Sequence, residues 1–433
     1  MTRSGLPSEP PWRLPAWLSL TLVTAVAARV GAAVWAATNN THGDYYASLP
    51  GPYVRHLNPV LWDSPDLHGA WGFHAETYFH GPTQYLTLYP VALLDSYAAI
   101  ASVLLPVFVI VLGVTFWIML RTLARLAPGQ RLLVPLLAST FLFFPLLQSL
   151  IQREFEVVIL LGLAWALRLM IQDRRRAAAA LLAYVTWFKY IPLLFAGHLM
   201  LRRWYAAAAT FAAASAVILG VAHGLFGLPL FFNNNVPGHA WQVAAVTSAG
   251  FRVDEGGHLI GLGFCQGWFD NETTLANVRH GLCTIAAHAP WFPPNVVYVL
   301  ICGAIAAVYL RTHARLERRN IDSMTEGWRR ALEMSIVTTV CGCFFFSHYY
   351  YLILLVLPLN VLLARFIAMR QRSALALWAI SYFLIAAFVV PTGLVSRLAG
   401  VDVWEEYIWG AWFLPGQLLL MWLLLREYRS LAA

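Results

Sequence analysis

Lysine is almost missing from this sequence. Lys189 stands alone, while the 433 residues carry 29 Lys and Arg together against 21 Asp and Glu. Charge of either sign is scarce at 12%, about half the roughly one-quarter share that a soluble domain needs to cover its surface. That scarcity excludes a soluble globule. The five cysteines include no CxxC pair, which excludes zinc-ribbon and thioredoxin-like chemistry. There is no GxxxxGK[ST] phosphate loop, no GxGxxG after a strand and no HExxH, and no soluble stretch large enough to hold a nucleotide. No internal repeat and no low-complexity tract beyond alanine-rich stretches is present.

What is present is apolar: 60% hydrophobic residues and a mean hydropathy of +0.63. Apolar runs of about 20 residues, the length that crosses a hydrocarbon core about 30 Å thick, recur along the chain. They fall near 16–37, 98–120, 132–150, 157–170, 205–225, 296–310, 331–346, 349–363, 374–390 and 408–425. The net charge of +8 could suggest a nucleic-acid partner, but the arginines sit in short loops between these runs and not on one amphipathic face. This is the pattern in which basic loops stay cytoplasmic. The first run follows Arg3 and Arg13 without a small-residue cleavage site, so it reads as a retained membrane helix. Cys341 and Cys343 lie within an apolar run and read as core thiols. Cys265 and Cys283 share a polar segment placed outside, where a disulfide is open.

Two basic clusters, Arg174 to Arg176 and Arg202 with Arg203, both demand the cytoplasmic side, yet only about 25 residues separate them. One full crossing would put them on opposite sides. Two half-length helices broken near Phe188-Lys189-Tyr190-Ile191-Pro192 keep them together, because Pro192 lacks an amide proton and disfavours helix before it. The expectation is therefore an all-α polytopic membrane domain spanning 1–433, with about 12 transmembrane segments and a short re-entrant hairpin near Lys189. Outer loops lie at about 38–97 and 226–294, and an amphipathic segment around Tyr78, Tyr85 and Tyr89 lies along the membrane surface.

Ionisable groups within such a protein cost roughly 2.5 kcal/mol or more at mid-helix and usually mark a site. Asp44, just past the first run, can accept a hydroxyl proton at a water–lipid boundary, or be a solvated loop aspartate that caps a helix. Lys189 can meet a phosphate as a compact ammonium ion, or snorkel to the interface. Arg29 lies roughly 20 Å along the first helix, able to reach an anionic headgroup or to pair with Glu154 or Glu156. His348, in a tight outer turn, can hold a phosphate oxygen or sit in an aromatic belt. The first outer loop also gathers His42, His56, His68, His74, Glu76 and His80, at no recognised metal-ligand spacing. No metal or cofactor is expected. A transporter or flippase of lipid-linked sugars, or a lipid-linked oligosaccharide ligase, stands as an alternative to a transferase.

The order of features carries a resemblance. It runs through His42-Gly43-Asp44-Tyr45-Tyr46, then Tyr78-Phe79-His80-Gly81-Pro82, then Gln152 onward. Trp187-Phe188-Lys189-Tyr190-Ile191-Pro192-Leu193-Leu194 leads into Leu201-Arg202-Arg203-Trp204, and Ser347-His348-Tyr349-Tyr350-Tyr351-Leu352 stands late in the chain. This order resembles glycosyltransferase family 87, the bacterial polyprenyl-phosphate-mannose-dependent mannosyltransferases of the GT-C superfamily. The resemblance implies a multi-helix GT-C-like bundle in a bacterial inner (plasma) membrane, with its active site facing the periplasm or exterior. It implies Asp44 as general base, and Lys189 and His348 near the donor phosphate, with Arg29 and Arg153 as further candidates. His42, Tyr45, His80 and Tyr349 are candidates for sugar or acceptor contact. The implied partners are a polyprenyl-phosphate sugar, a lipid or glycan acceptor and membrane lipids, with no nucleic acid. At His80-Gly81-Pro82-Thr83 the chain departs from the family's Tyr-Pro-Pro-like run, so sugar and acceptor stay open.

Overall fold

The computed structural model describes residues 14–39, 82–88, 90, 94, 97–152, 155–189, 194–226, 233–234, 236–237, 251–253, 259–261, 265, 277–289, 291–344, 349–386 and 411–433. Among these, helix dominates. The first half holds α1 (Ala16–Asn39), α2 (Pro82–Leu88), α3 (Tyr97–Leu126), α4 (Leu133–Phe141), α5 (Phe144–Gln152), α6 (Glu156–Ile171), α7 (Arg175–Lys189), α8 (Leu194–Leu201) and α9 (Tyr205–Phe226). Two small antiparallel pairs follow: β1 (Asn233–Asn234) with β2 (Val236–Pro237), and β3 (Phe251–Val253) with β4 (Leu259–Gly261), in which Arg252 opposes Ile260. The second half holds α10 (Val278–His288), α11 (Pro294–Glu317), α12 (Ser323–Phe344), a 3-10 turn (Tyr349–Leu355) running into α13 (Val356–Met369), α14 (Arg372–Ile385) and α15 (Phe413–Ser430).

Five of the described segments are long and apolar enough to cross a membrane: α1, α3 from Ser102, α9, α11 and the stretch Tyr351–Met369. The pair α4 and α5 makes a sixth if taken as one span. These helices establish a helical membrane protein; the sequence count of about twelve segments is finer than they reach. The run near 132–150, expected as one helix, is bent by 57° between α4 and α5. Pro145 explains the bend, since it cannot donate to Phe141 and its ring crowds that carbonyl.

α13 lies at the centre, with Leu357, Leu359, Val361, Leu362 and Phe366 all fully buried. It packs against α4, α12 and α14. A polar pin fixes its register: buried Asn360 donates to Thr140 Oγ1 of α4 at 2.8 Å. α6 packs against both α3 and α7. At Gly162 of α6 a Cβ would fall 2.2 Å from Val185 Cγ2 of α7, so the missing side chain is what lets these two helices close.

The basic ends of many helices gather at one end of the bundle. Arg121 of α3 and Arg168 of α6 both lie 5.5 Å from the centre of the Trp117 ring. A Cβ on Gly327, at the start of α12, would meet Leu126 at the end of α3 at 2.7 Å. Arg426 of α15 donates to Gln371, just before α14, at 3.2 Å. The clusters on either side of α7–α8 also meet here, with the Arg175 guanidinium 4.6 Å from the Trp204 ring centre.

Three of the turns at this end share one construction. After α6, Arg174 N–H donates to Leu169 O and Asp173 N–H to Met170 O; after α8, Trp204 N–H donates to Leu199 O and Arg203 N–H to Met200 O. After α13, Gln371 N–H donates to Phe366 O and Arg370 N–H to Ile367 O. This is the Schellman closure, in which glycine is usual at the left-handed position. Here Asp173, Arg203 and Arg370 take that position with φ of 61°, 54° and 54°.

One further expectation is revised, and a second gains detail. The basic loop expected over 311–330 is mostly helix, because α11 runs on to Glu317 and α12 starts at Ser323. Asp322 starts α12 early: its Oδ1 accepts from the backbone N–H of Met324 and of Thr325, both at 2.9 Å, satisfying donors that a helix start leaves open. The segment expected along the membrane surface contains α2, whose Thr83 and Gln84 are fully buried. It docks on α7 and α9 and holds Thr87 Oγ1 2.6 Å from the Tyr184 hydroxyl.

Candidate functional site

Of the residues singled out from sequence, Asp44, His42, Tyr45, His80, Arg153 and His348 lie outside the described residues. Lys189 is the last residue of α7, and Tyr349 opens the 3-10 turn; only their backbone is described. Arg29 is half-buried on α1, within electrostatic reach of the Tyr382 phenol on α14. Tyr382 in turn stacks on Trp378, with ring centres 5.2 Å apart.

Described elements that neighbour several of these positions in sequence pack together. α5, which ends one residue before Arg153, packs on α1 and on the 3-10 turn that follows His348. α6 packs on that turn and on α7, whose last residue is Lys189. α2, which follows His80, packs along α7. The chain thus brings α1, α5, α6, α7 and the turn into one neighbourhood, through sequence separations of more than 300 residues.

α10 adds two polar groups that sequence reasoning passed over. Asn277 caps it by accepting the His280 N–H at 2.9 Å, and a disulfide joins Cys283 to Cys265 with a Cα separation of 5.5 Å. Arg279 and His280 are both buried. Burial pulls the Arg279 guanidinium down to about 10, partly offset by nearby Tyr298. Burial also pulls the His280 imidazole down to about 4, and its ring stacks on Phe413 of α15 at 6.2 Å. The Tyr298 hydroxyl donates to the carbonyl of Phe344, four residues before His348.

The densest charge among the described residues sits elsewhere, at the basic end. Glu333 of α12 is fully buried, and five groups from four elements converge on it. Arg329 Nε donates to its Oε1 at 3.0 Å, and the Tyr428 hydroxyl of α15 donates to the same oxygen at 2.6 Å. His313 Nδ1 of α11 lies 3.3 Å from Oε1, while Arg202 Nε and His198 Nε2 lie 3.5 and 3.8 Å from Oε2. Arg202 also reaches Glu317 at 3.1 Å and Glu326. Arg330 bonds Glu326 at 2.8 Å and Asp173 at 3.0 Å. The Asp173 carboxyl is held below its usual range: its slight burial raises it, and Arg175 and Arg330 outweigh that.

Three arginines face three glutamates in this cluster, and an acid–base pairing this complete holds helices together and leaves no carboxylate poised to take a proton. Sequence reasoning missed this cluster; the signal that could have found it is the spacing of Glu326, Arg329, Arg330 and Glu333 at three and four residues on one helix face.

Long apolar helices around a few buried charges define an integral membrane protein of the all-helical kind. A family model, glycosyltransferase family 87, matches residues 78–327, more than half of the chain, and the chain belongs to that family. It is therefore an enzyme that transfers a sugar from a donor to an acceptor. The match takes in His80, Arg153, Lys189 and the run to Trp204; Arg29, His42, Asp44 and Tyr45 precede it, and His348 and Tyr349 follow it. No curated protein matches the chain.

Proposed function

We propose that the protein moves a sugar, mannose as the first choice, from a polyprenyl-phosphate carrier to a hydroxyl of a lipid or glycan on the outer face of a bacterial plasma membrane. The observation that carries the reading is the family match over 78–327, which contains the Lys189-to-Trp204 run. The Cys265–Cys283 disulfide supports an outer, oxidising placement for the segment before α11. The meeting of Arg175 with Trp204 supports the re-entrant reading, in which α7 and α8 form a hairpin with Lys189 at its tip. Within this reading the chain has about twelve membrane segments, the two half-length helices of the hairpin among them.

The mechanism follows from where charge develops. The acceptor hydroxyl attacks the anomeric carbon opposite the phosphate, so a C–O bond forms as the sugar–phosphate bond breaks and configuration inverts. Asp44 takes the hydroxyl proton. The departing phosphate carries the electron pair away, and Lys189, His348, Arg29 and Arg153 are the groups to meet its charge. His42, Tyr45, His80 and Tyr349 are the groups to position sugar or acceptor. The lipid-phosphate sugar is the co-substrate, and no cofactor enters the reading.

Transfer of labelled mannose from polyprenyl-phosphate-mannose to extracted membrane glycans and lipids tests this. Asp44→Asn should abolish transfer with protein yield unchanged, and full activity in that variant removes Asp44 as base. Losing one preorganised donor to developing charge costs about 2.7–4 kcal/mol, so Lys189→Met should slow turnover by about 100- to 1000-fold. A Lys189→Met enzyme with unaltered kcat and KM would leave the lysine at the interface without a role.

A further inference from the structure

We propose that the cavity between the α6–α7 and α8–α9 turns binds the phosphate group of an anionic membrane lipid. The cavity has a volume of about 710 Å³ and is walled by Asp173, Arg174, Arg175, Arg176, Arg203 and Trp204. Its one carboxylate is already engaged, by Arg175 at 2.8 Å and by Arg330 at 3.0 Å. Arg174, Arg176 and Arg203 are exposed, and among the described residues their side chains make no hydrogen bond or ion pair. Three uncompensated cations so close together repel one another, and an anion relieves that repulsion.

The cavity is also built. Trp204 is its buried floor, with the guanidinium groups of Arg175, Arg202 and Arg330 at 4.6, 4.7 and 5.5 Å from the ring centre. Arg202 and Arg330 are locked in turn by Glu326. The two Schellman turns place Asp173 and Arg203, both in left-handed backbone, on the wall of the same cavity. An arginine presents a planar fork that matches a phosphate's oxygens, and several around one cavity make a phosphate seat.

A lipid fits this seat better than a free anion because of what lies next to it. Tyr205, also on the cavity wall, is 61% exposed and is the first residue of α9, one of the helices able to cross a membrane. Below it on α9, Val217, Val221 and Leu225 are exposed. A lipid whose chains lie along α9 brings its headgroup to the arginines. The basic end faces the cytoplasm by the positive-inside rule, and basic pockets between membrane helices on that side bind anionic headgroups. The inference stands independently of the sugar-transfer reading, because it uses the opposite end of the bundle.

The test is native mass spectrometry of the full-length protein, released from vesicles of phosphatidylglycerol mixed with phosphatidylcholine. The wild type should retain phosphatidylglycerol selectively. Arg203→Asn, chosen because Asn tolerates left-handed backbone, and Arg174→Gln should each lower retention by about fivefold, the worth of one basic residue near a charged leaflet. Arg176→Gln repeats the measurement if Arg203→Asn reduces yield. Arg372→Gln removes the same charge from the start of α14 and should leave retention unchanged. Equal loss in Arg372→Gln, equal retention of phosphatidylcholine, or equal displacement by inorganic phosphate would each overturn the assignment.

Discussion

Glu333 shows what one carboxylate does in a low-dielectric interior. It is buried with two arginines, two histidines and a tyrosine around it, and its charge is what makes the burial of Arg202 and Arg329 tolerable. Taking one partner out of a buried ion network leaves the others uncompensated, at about 3–5 kcal/mol. Glu333→Gln keeps the shape and removes the charge. We expect it to lower the thermal midpoint of the detergent-solubilised protein by a clear margin. Asp173→Asn, at a side chain 64% exposed, should cost about 1 kcal/mol or less, as solvated pairs do. Equal shifts in the two variants would mean that the cluster is not the anchor described here. The cluster was barely legible beforehand, because Arg202 and Glu333 are 131 positions apart and only the contacts of α8 with α12 bring them together. The three- and four-residue spacing on α12 is the one local sign of a charged face, and nothing local says that the face is buried.

The long helices are legible in the sequence for a physical reason. A membrane helix needs a long apolar run, and that is a local property, so α1, α3, α9 and α11 stand close to where the runs place them. Boundaries differ from the runs where a single residue starts or breaks a helix: Asp322 caps α12 early, and Pro145, inside the run at 132–150, bends it between α4 and α5. What pairs with what is not local. α6 and α7 close at Gly162 against Val185, a stiff β-branched side chain with little room to turn. Gly162→Ala should therefore be over-packed, at about 1–3 kcal/mol. The double variant Gly162→Ala with Val185→Ala should recover most of that loss, because the atom in the way is Val185 Cγ2. Thermal unfolding of the three proteins checks it. The idea fails if the second substitution adds to the damage of the first.

At the scale of the whole molecule, acid acts on groups at both ends of the bundle. At the α10 end, His280 is buried against Phe413 and stays neutral down to about pH 4, while an unfolded chain titrates it near 6.5. Above pH 6.5 neither state binds the proton and this residue gives no pH dependence. Between about 6.5 and 4 the unfolded chain gains a proton that the folded one refuses, so stability falls as pH falls. Below about 4 both states are protonated and the contribution is flat again. Over that window the loss is on the order of 3 kcal/mol at about 1.4 kcal/mol per pH unit. Arg279, the neighbouring charge, is lowered only to about 10, so it stays protonated throughout and does not blur the window. At the basic end the sign of the charge is opposite but the direction is the same. The Asp173 carboxyl is depressed by Arg175 and Arg330, so its contribution is present above its usual value of 3.8 and is lost only as pH falls through its lower folded value. Thermal midpoints measured from pH 8 to about pH 2 should thus fall between 6.5 and 4 and again below that. His280→Leu, which removes the titrating ring from the buried site, should make that stretch shallower while leaving the decline below pH 4 in place. A wild-type profile that is level from 6.5 to 4 would mean that the imidazole is open to protons in the folded protein, and that α10 is not packed on α15 as the stacking on Phe413 requires.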